Sequence, residues 1–154
     1  MYMELLKVGD QAPDFETVDQ SGSKVRLSDF KGQPVVLYFY PKDNTPGCTT
    51  EACNFRDNFN SFKEAGIKVI GVSVDSPESH KRFAEKYQLN FTLASDKEKE
   101  ICKKYGVLGL ATAKRVTYII DRDGKIVYVY PKVTPKDHAV EVMNKIKELG
   151  LIPS

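Results

Sequence analysis

Cysteine is scarce in this sequence: Cys48, Cys53 and Cys102 are the only three among 154 residues. Three is too few, and an odd number, for the disulfide-stapled scaffold of a small secreted protein. The chain has no C-x-x-C pair, and His80 and His138 lie far from the two close cysteines in sequence. We therefore expect no metal site, and we interpret both histidines as surface or packing residues.

An excess of charge of one sign is also missing. The net charge is +2, and basic residues are interleaved with acidic ones, so the chain has no basic stripe that would bind nucleic acid or an acidic membrane. The longest strongly apolar run, residues 35–40, is far shorter than the roughly 20 residues that span a bilayer. Residues 1–10 lack a basic segment followed by an apolar stretch, so we expect no secretory signal. Together these absences predict a cytoplasmic protein.

The apolar runs and helix signals predict an α/β chain. Continuous apolar runs predict buried strands over 35–40 and 67–74, and two further strands, 116–120 and 126–130, flank the turn Asp121-Arg122-Asp123-Gly124. Helices are predicted over 48–66, 77–87, 96–105 and 135–149, with Ser76 and Thr134 as N-caps of the second and the last.

Alternating residues in the first thirty positions predict a small hairpin or extended arm. No repeat, low-complexity tract or linker interrupts the chain, so we expect one domain over 1–154. This order of elements predicts a thioredoxin-like α/β fold, in which helices flank a central mixed sheet and a hairpin extends the N-terminus.

Cys48 stands where a loop of two prolines and a glycine, residues 41–47, turns into a helix at the carboxyl end of a predicted central strand. Binding sites of open α/β sheets form at such ends. The free N–H groups and partial positive charge of a helix N-terminus favour a thiolate over a thiol, and the thiolate is the nucleophile. The position alone therefore makes Cys48 a candidate nucleophile, although a buried core thiol would occupy it equally well.

The helical phase separates the two close cysteines. At 100° per residue, Ala52, Phe55, Phe59 and Phe62 fall within about 40° of Cys48, which therefore begins the core-facing stripe. Cys53 falls about 140° away, on the polar face of the same helix.

Residues five apart in an intact α-helix have Cα atoms about 8 to 9 Å apart, whereas a disulfide needs about 4.4 to 6.8 Å. If Cys48 and Cys53 pair, the helix must therefore unwind locally and refold on reduction.

Pro41, Thr45 and Cys48 match the P-x-x-x-T-x-x-C signature of peroxiredoxins. The longer run Tyr40-Pro41-Lys42-Asp43-Asn44-Thr45-Pro46-Gly47-Cys48-Thr49-Thr50-Glu51-Ala52-Cys53-Asn54-Phe55-Arg56-Asp57 resembles the Q-type subgroup, also called bacterioferritin comigratory protein. The similarity covers nearly the whole chain, from Gly9 to the last helix.

The resemblance implies that Cys48 is the peroxidatic cysteine, which attacks a hydroperoxide and becomes a sulfenic acid. Thr45 matches the threonine that binds peroxide and thiolate, and Pro41 the proline that shields the cysteine. Arg115, unlike its neighbour Lys114, matches the distant arginine that the family requires; a forked, permanent cation suits a thiolate and two peroxide oxygens. Backbone N–H groups near Gly47 and Cys48 would complete the site.

Glu51 matches a glutamate of the subgroup, and it either orients Arg115 or is only a favourable acid in a first helical turn. Cys53 matches the resolving cysteine, which would form the disulfide Cys48–Cys53; a thioredoxin-like dithiol would then reduce it. No metal, haem or flavin is implied. Cys102 is interpreted as a half-buried packing residue, with a secondary redox role as the alternative.

Two other functions stay open at this point. One is a thiol–disulfide oxidoreductase of the same fold, which would normally carry C-x-x-C where this chain has C-x4-C. The other is a redox sensor or a holdase that acts through the unwound helix. The resemblance implies a monomer, with a weak edge-to-edge dimer as the alternative.

Overall fold

The computed structural model describes residues 4–152, so both ends of the predicted domain, 1–3 and 153–154, lie outside the described residues. Seven strands and five α-helices are formed within this range, with short 3-10 turns at Leu27–Phe30 and Pro135–Asp137. The strands are β1 (Glu16–Val18), β2 (Lys24–Arg26), β3 (Val35–Phe39), β4 (Lys68–Ser73), β5 (Thr92–Ser95), β6 (Val116–Ile120) and β7 (Ile126–Tyr130). The helices are α1 (Pro46–Asp57), α2 (Phe59–Glu64), α3 (Pro77–Tyr87), α4 (Glu100–Lys104) and α5 (His138–Glu148).

The central sheet has the order β5-β4-β3-β6-β7, in which β3, β4 and β5 run parallel and β6 and β7 are antiparallel to their neighbours. β1 and β2 form a separate antiparallel hairpin. The predicted mixed sheet, flanking helices and N-terminal hairpin are therefore confirmed.

β3 is buried on both faces because each face packs against its own apolar cluster. Val36 and Tyr38 face a cluster that contains the apolar sides of α1 and α5. Leu37 and Phe39 face a second cluster, which includes Ile101 of α4 and residues of the N-terminal segment. Such a doubly covered strand is the continuous apolar run that the sequence displays.

Three helix predictions need correction. The helix predicted over 48–66 begins earlier, at Pro46, and is two helices, because the backbone leaves helical geometry at Asn58. The helix predicted from residue 96 begins only at Glu100, and the preceding strand β5 was not predicted. The last helix begins as a 3-10 turn, and Thr134 makes no side-chain cap. By contrast, α3 has the predicted bounds, and the Ser76 side chain accepts from the Ser79 N–H.

No helix within residues 4–152 combines the length and the apolar character that crossing a bilayer requires.

Candidate active site

Cys48 lies in the first turn of α1, beyond the carboxyl end of β3. Pro46 is the first residue of the helix, and its missing N–H costs nothing there because the first N–H groups of a helix have no intrahelical acceptor. Within residues 4–152, the N–H groups of Gly47 and Cys48 have no hydrogen-bond partner. The positive end of the helix dipole therefore acts on a sulfur that is 1% exposed and that belongs to the same turn as these two free donors.

Arg115 joins Cys48 to Glu51. Its Nη2 lies 3.3 Å from Cys48 Sγ, and its Nη1 donates to Glu51 Oε1 at 2.8 Å. Arg115 stands just before β6, which pairs with β3, so the sheet brings this distant residue beside α1. Lys114 is exposed and does not reach the sulfur through any hydrogen bond or ion pair among the described residues.

Gly47 lets this arginine approach the helix. A β-carbon built on Gly47 would lie 3.0 Å from Arg115 Nη2 and 3.8 Å from a ring carbon of Pro135. Such a contact is tighter than nearly all real ones, so any side chain at residue 47 would push against the guanidinium.

Glu51 is fully buried, and its second oxygen, Oε2, has no hydrogen-bond partner within the described part of the chain. Burial raises the pKa of its carboxyl from about 4.5 to about 7, although Arg115 acts in the opposite direction. Of the two interpretations left open by the sequence, the geometry supports the one in which Glu51 orients Arg115, because Nη1 donates to Oε1.

Thr45 and Pro41 are half-buried in the loop between β3 and α1. The Thr45 hydroxyl donates to the carbonyl of Lys42 at 2.8 Å, instead of capping α1. Because its proton is engaged, the hydroxyl oxygen remains an acceptor at the mouth of the site.

The two other cysteines differ in their surroundings. Cys53 is half-buried, and α1 is intact from Cys48 through Cys53, so the two thiols are not bonded. Cys102 is fully buried, and not half-buried as predicted. Burial, and to a smaller extent its neighbour Asp96, raise the pKa of its thiol far above the usual range.

Both histidines are buried in hydrogen-bond networks. Of the two roles predicted for them, packing is therefore correct and a surface position is wrong. His80 contacts Asp43 Oδ2 through Nδ1 at 2.7 Å and the carbonyl of Ala94 through Nε2 at 3.1 Å. Tyr40 donates to the other Asp43 oxygen at 2.6 Å.

The same region contains a cluster of potential metal ligands. Ligand atoms of Asp43, Asp75 and His80 lie within 4.8 Å of one another, but these atoms already take part in hydrogen bonds. The network fixes the loop that carries Pro41 and Thr45, which the sequence did not indicate.

His138 lies at the start of α5, near Arg115. Thr117 Oγ1 and His138 Nε2 are 2.7 Å apart, and His138 Nδ1 lies 2.9 Å from Glu141 Oε1. Burial is the largest influence on the pKa of this imidazole and lowers it; Glu141 acts in the opposite direction, and the charge of Arg115 lowers the pKa further.

Known proteins resemble this chain over nearly its full length. The AhpC/TSA family model matches residues 8–129. The chain belongs to the AhpC/TSA family. It is 46% identical to the protein named peroxiredoxin Bcp in Escherichia coli (strain K12), over 95% of this chain and 99% of the relative.

Solved structures agree with this assignment. PrxQ of Xylella fastidiosa, in the form of a cysteine-to-serine mutant, superposes with a TM-score of 0.91 at 33% identity, over 96% of this chain and 99% of that one. The bacterioferritin comigratory protein of Xanthomonas campestris, whose structural study concerns alkyl peroxide reduction, has a TM-score of 0.84 at 32% identity, over 88% and 91% of the two chains. The chain is therefore a peroxiredoxin of the Bcp or Q type, as its motif indicated.

Proposed function

We propose that this peroxiredoxin reduces hydroperoxides with Cys48 as its nucleophile. The observation that carries the proposal is the position of Arg115 Nη2, 3.3 Å from a buried sulfur at a helix N-terminus. The cation and the helix dipole both stabilise a thiolate in a place that excludes water. Sulfur attacks the terminal oxygen of the peroxide, the O–O bond breaks, Cys48 becomes a sulfenic acid, and the alkoxide or hydroxide that leaves takes up one proton.

The surrounding groups can bind the two oxygens. Thr45 offers a hydroxyl oxygen that accepts from the O–H of the peroxide, because its own proton is donated to Lys42. The free N–H groups of Gly47 and Cys48, together with Arg115, face the negative charge that develops on the leaving oxygen. Pro41 lines the site with an apolar ring and has no backbone N–H donor.

Cys53 is proposed as the resolving cysteine. Its thiol would attack the sulfenic sulfur, form the disulfide Cys48–Cys53 and release water. Because both residues belong to one intact helix, the residues between them must leave helical geometry first. A thioredoxin-like dithiol would then reduce the disulfide, so that the cycle requires thiols alone.

Organic hydroperoxides are proposed as substrates beside hydrogen peroxide. The alkyl peroxide reduction described for the Xanthomonas campestris relative supports this range. We also propose that residues 1–154 act as one domain, in the cytoplasm and as a monomer.

Single-turnover and steady-state assays test these roles. We expect Cys48→Ser to abolish peroxide consumption, and Cys53→Ser to reduce one equivalent of peroxide but fail to turn over with a thioredoxin system. Cys102→Ala is the control, and it should retain both activities. Full peroxidase activity in Cys48→Ser contradicts the nucleophile, and unchanged turnover in Cys53→Ser contradicts the resolving role.

A further inference from the structure

One cation serves two acids in this site. Arg115 uses Nη2 for Cys48 and Nη1 for Glu51, and its side chain is 20% exposed whereas the Glu51 side chain is fully buried. The remaining Glu51 oxygen has no hydrogen-bond partner among the described residues. An ionised carboxylate normally accepts several hydrogen bonds, so a single one leaves its charge poorly stabilised.

Within residues 4–152, the side chains of two other elements that face this pair disfavour a further full positive charge. From β3, the buried Tyr38 hydroxyl has no partner within residues 4–152, and burial together with the charges of Glu51 and Cys48 raises the pKa of that phenol well above its usual value. From α5, burial lowers the pKa of His138, which disfavours a positive charge on its ring. If Glu51 and Cys48 were both ionised, Arg115 would balance one of the two negative charges, and only the partial positive charge of the α1 N-terminus would face the other. Such an arrangement is costly in a medium of low polarity.

The cluster is therefore balanced when it holds one proton besides those of the guanidinium. The pKa of about 7 for Glu51 agrees with a proton on the carboxyl, with burial as its main cause. A negative charge on Cys48, which lies on the other side of Arg115, favours that proton further because like charges repel.

Oxidation changes this balance at the sulfur. When the Cys48 thiolate becomes a neutral sulfenic acid, Arg115 loses one of its two anions, and its whole charge is available to the Glu51 carboxylate. The change occurs in the same step in which the leaving alkoxide needs a proton.

We infer that Glu51 is the proton reservoir of the oxidation step: its carboxyl is protonated beside the Cys48 thiolate and ionised beside the sulfenic acid. The inference rests on the proposed role of Cys48. The step then balances within the site: thiolate, hydroperoxide and carboxylic acid become sulfenic acid, alcohol and carboxylate, with one negative charge before and after. Glu51 contacts Arg115 and not the sulfur in the resting site, and the guanidinium keeps all of its own protons throughout the step.

Infrared difference spectroscopy tests the inference directly. The Cys53→Ser protein, which should stop at the sulfenic acid, is treated with one equivalent of hydrogen peroxide at pH 6. We expect the C=O stretch of one protonated carboxyl group to disappear on oxidation, and to be missing from the spectrum of Cys53→Ser with Glu51→Gln. Cys53→Ser with Glu64→Gln is the matched control, because Glu64 is exposed on α2, and it should keep the signal.

The mass of the same sample separates the two proposals. If the protein gains no oxygen, Cys48 is not the nucleophile. If it gains one oxygen and no carboxyl band changes, Glu51 is not the reservoir, although Cys48 is oxidised.

The rate of Cys48 oxidation provides a second readout, which a purely structural role would not move. We expect the oxidation rate of the unmodified protein to fall above pH about 7, by up to about tenfold per pH unit. Glu51→Gln has no ionisable group there, so its profile should lack this decline, whatever its absolute rate. The same decline in both proteins would overturn the inference.

Discussion

The Nη2 atom of Arg115 lies 3.0 Å from the point that a β-carbon on Gly47 would occupy. The same nitrogen contacts Cys48 Sγ at 3.3 Å, so the glycine and the sulfur share one guanidinium as neighbour. Gly47 is in ordinary helical backbone, without a positive φ, and its small size is therefore required by space and not by conformation.

Gly47→Ala should impair catalysis more than folding. The methyl group would displace the guanidinium by a few tenths of an ångström from the sulfur, and small misplacements of catalytic groups lower rates by about 10-fold to 100-fold. We expect a loss of this size in kcat/KM for hydrogen peroxide, measured by stopped flow, while the midpoint of thermal unfolding is kept or raised because alanine favours helix.

Thr50→Ala is the control for this variant. Thr50 is exposed in the same helical turn, and its hydroxyl only donates to the carbonyl of Pro46. It should keep its activity, and an equally active Gly47→Ala would mean that the approach of Arg115 tolerates a side chain.

Much of the fold is visible in local patterns. The strands β3, β4, β6 and β7 are apolar runs bounded by turn residues, and α3 has a serine cap and a proline at its first position. The predicted element bounds are wrong where tertiary contacts determine where a helix begins. The polar residues 96–99 suit a helix, but Asp96 accepts from the N–H groups of Ile101 and Cys102, and Lys99 adopts a φ of 64°, so α4 starts later.

The candidate site likewise has some features that the sequence predicts and others that it does not. The core-facing position of Cys48 follows from helical phase, and the family motif indicates Arg115. The contact between Gly47 and Arg115, and the pair formed by Asp43 and His80, join residues that are far apart in sequence. Only the packing of the sheet and helices brings them together, so no local pattern predicts them.

Asn54 links the helix of Cys48 to α5. Its Oδ1 accepts from the N–H of Ala139, one of the first N–H groups of α5, at 2.7 Å. Removing such a cap costs about 1 kcal/mol. If oxidation unwinds α1 as far as Asn54, this link is already broken in the disulfide form.

We therefore expect Asn54→Ala to lower the free energy of unfolding of the reduced protein by about 1 kcal/mol, and that of the oxidised protein by less. Urea denaturation in both redox states measures the difference, with Asn60→Ala, on the exposed side of α2, as control. Amide exchange should also be faster in the oxidised protein over residues 48–56 and at Ala139. Equal losses and equal protection in both states contradict the unwinding.

His80 and Asp43 form a buried pair that holds the loop of Pro41 and Thr45. Both ring nitrogens of His80 face oxygen acceptors, and both side chains are almost fully buried. Removal of one partner leaves the other polar group buried without its counterpart, which costs about 1–3 kcal/mol.

His80→Phe should lower the free energy of unfolding by about this amount and slow the oxidation of Cys48. Adding Asp43→Asn should recover part of the stability, because a neutral amide is less costly to bury than a carboxylate. A double-mutant cycle from urea denaturation checks this. Additive losses would indicate that the two side chains do not stabilise each other.

Glu51 should make the reduced protein less stable as the pH rises through neutrality. Its pKa is about 7 in the folded protein and about 4.5 ordinarily, so between these values the folded state holds a proton that the unfolded state has lost. Its contribution to stability is fully present below pH about 4.5 and is lost as the pH rises through about 7, with a slope of up to about 1.4 kcal/mol per pH unit. Glu51→Gln removes this slope, whereas Glu64→Gln keeps it. Urea denaturation of the reduced protein from pH 4.5 to pH 8 measures both slopes, and the same slope in Glu51→Gln would assign the effect to another group.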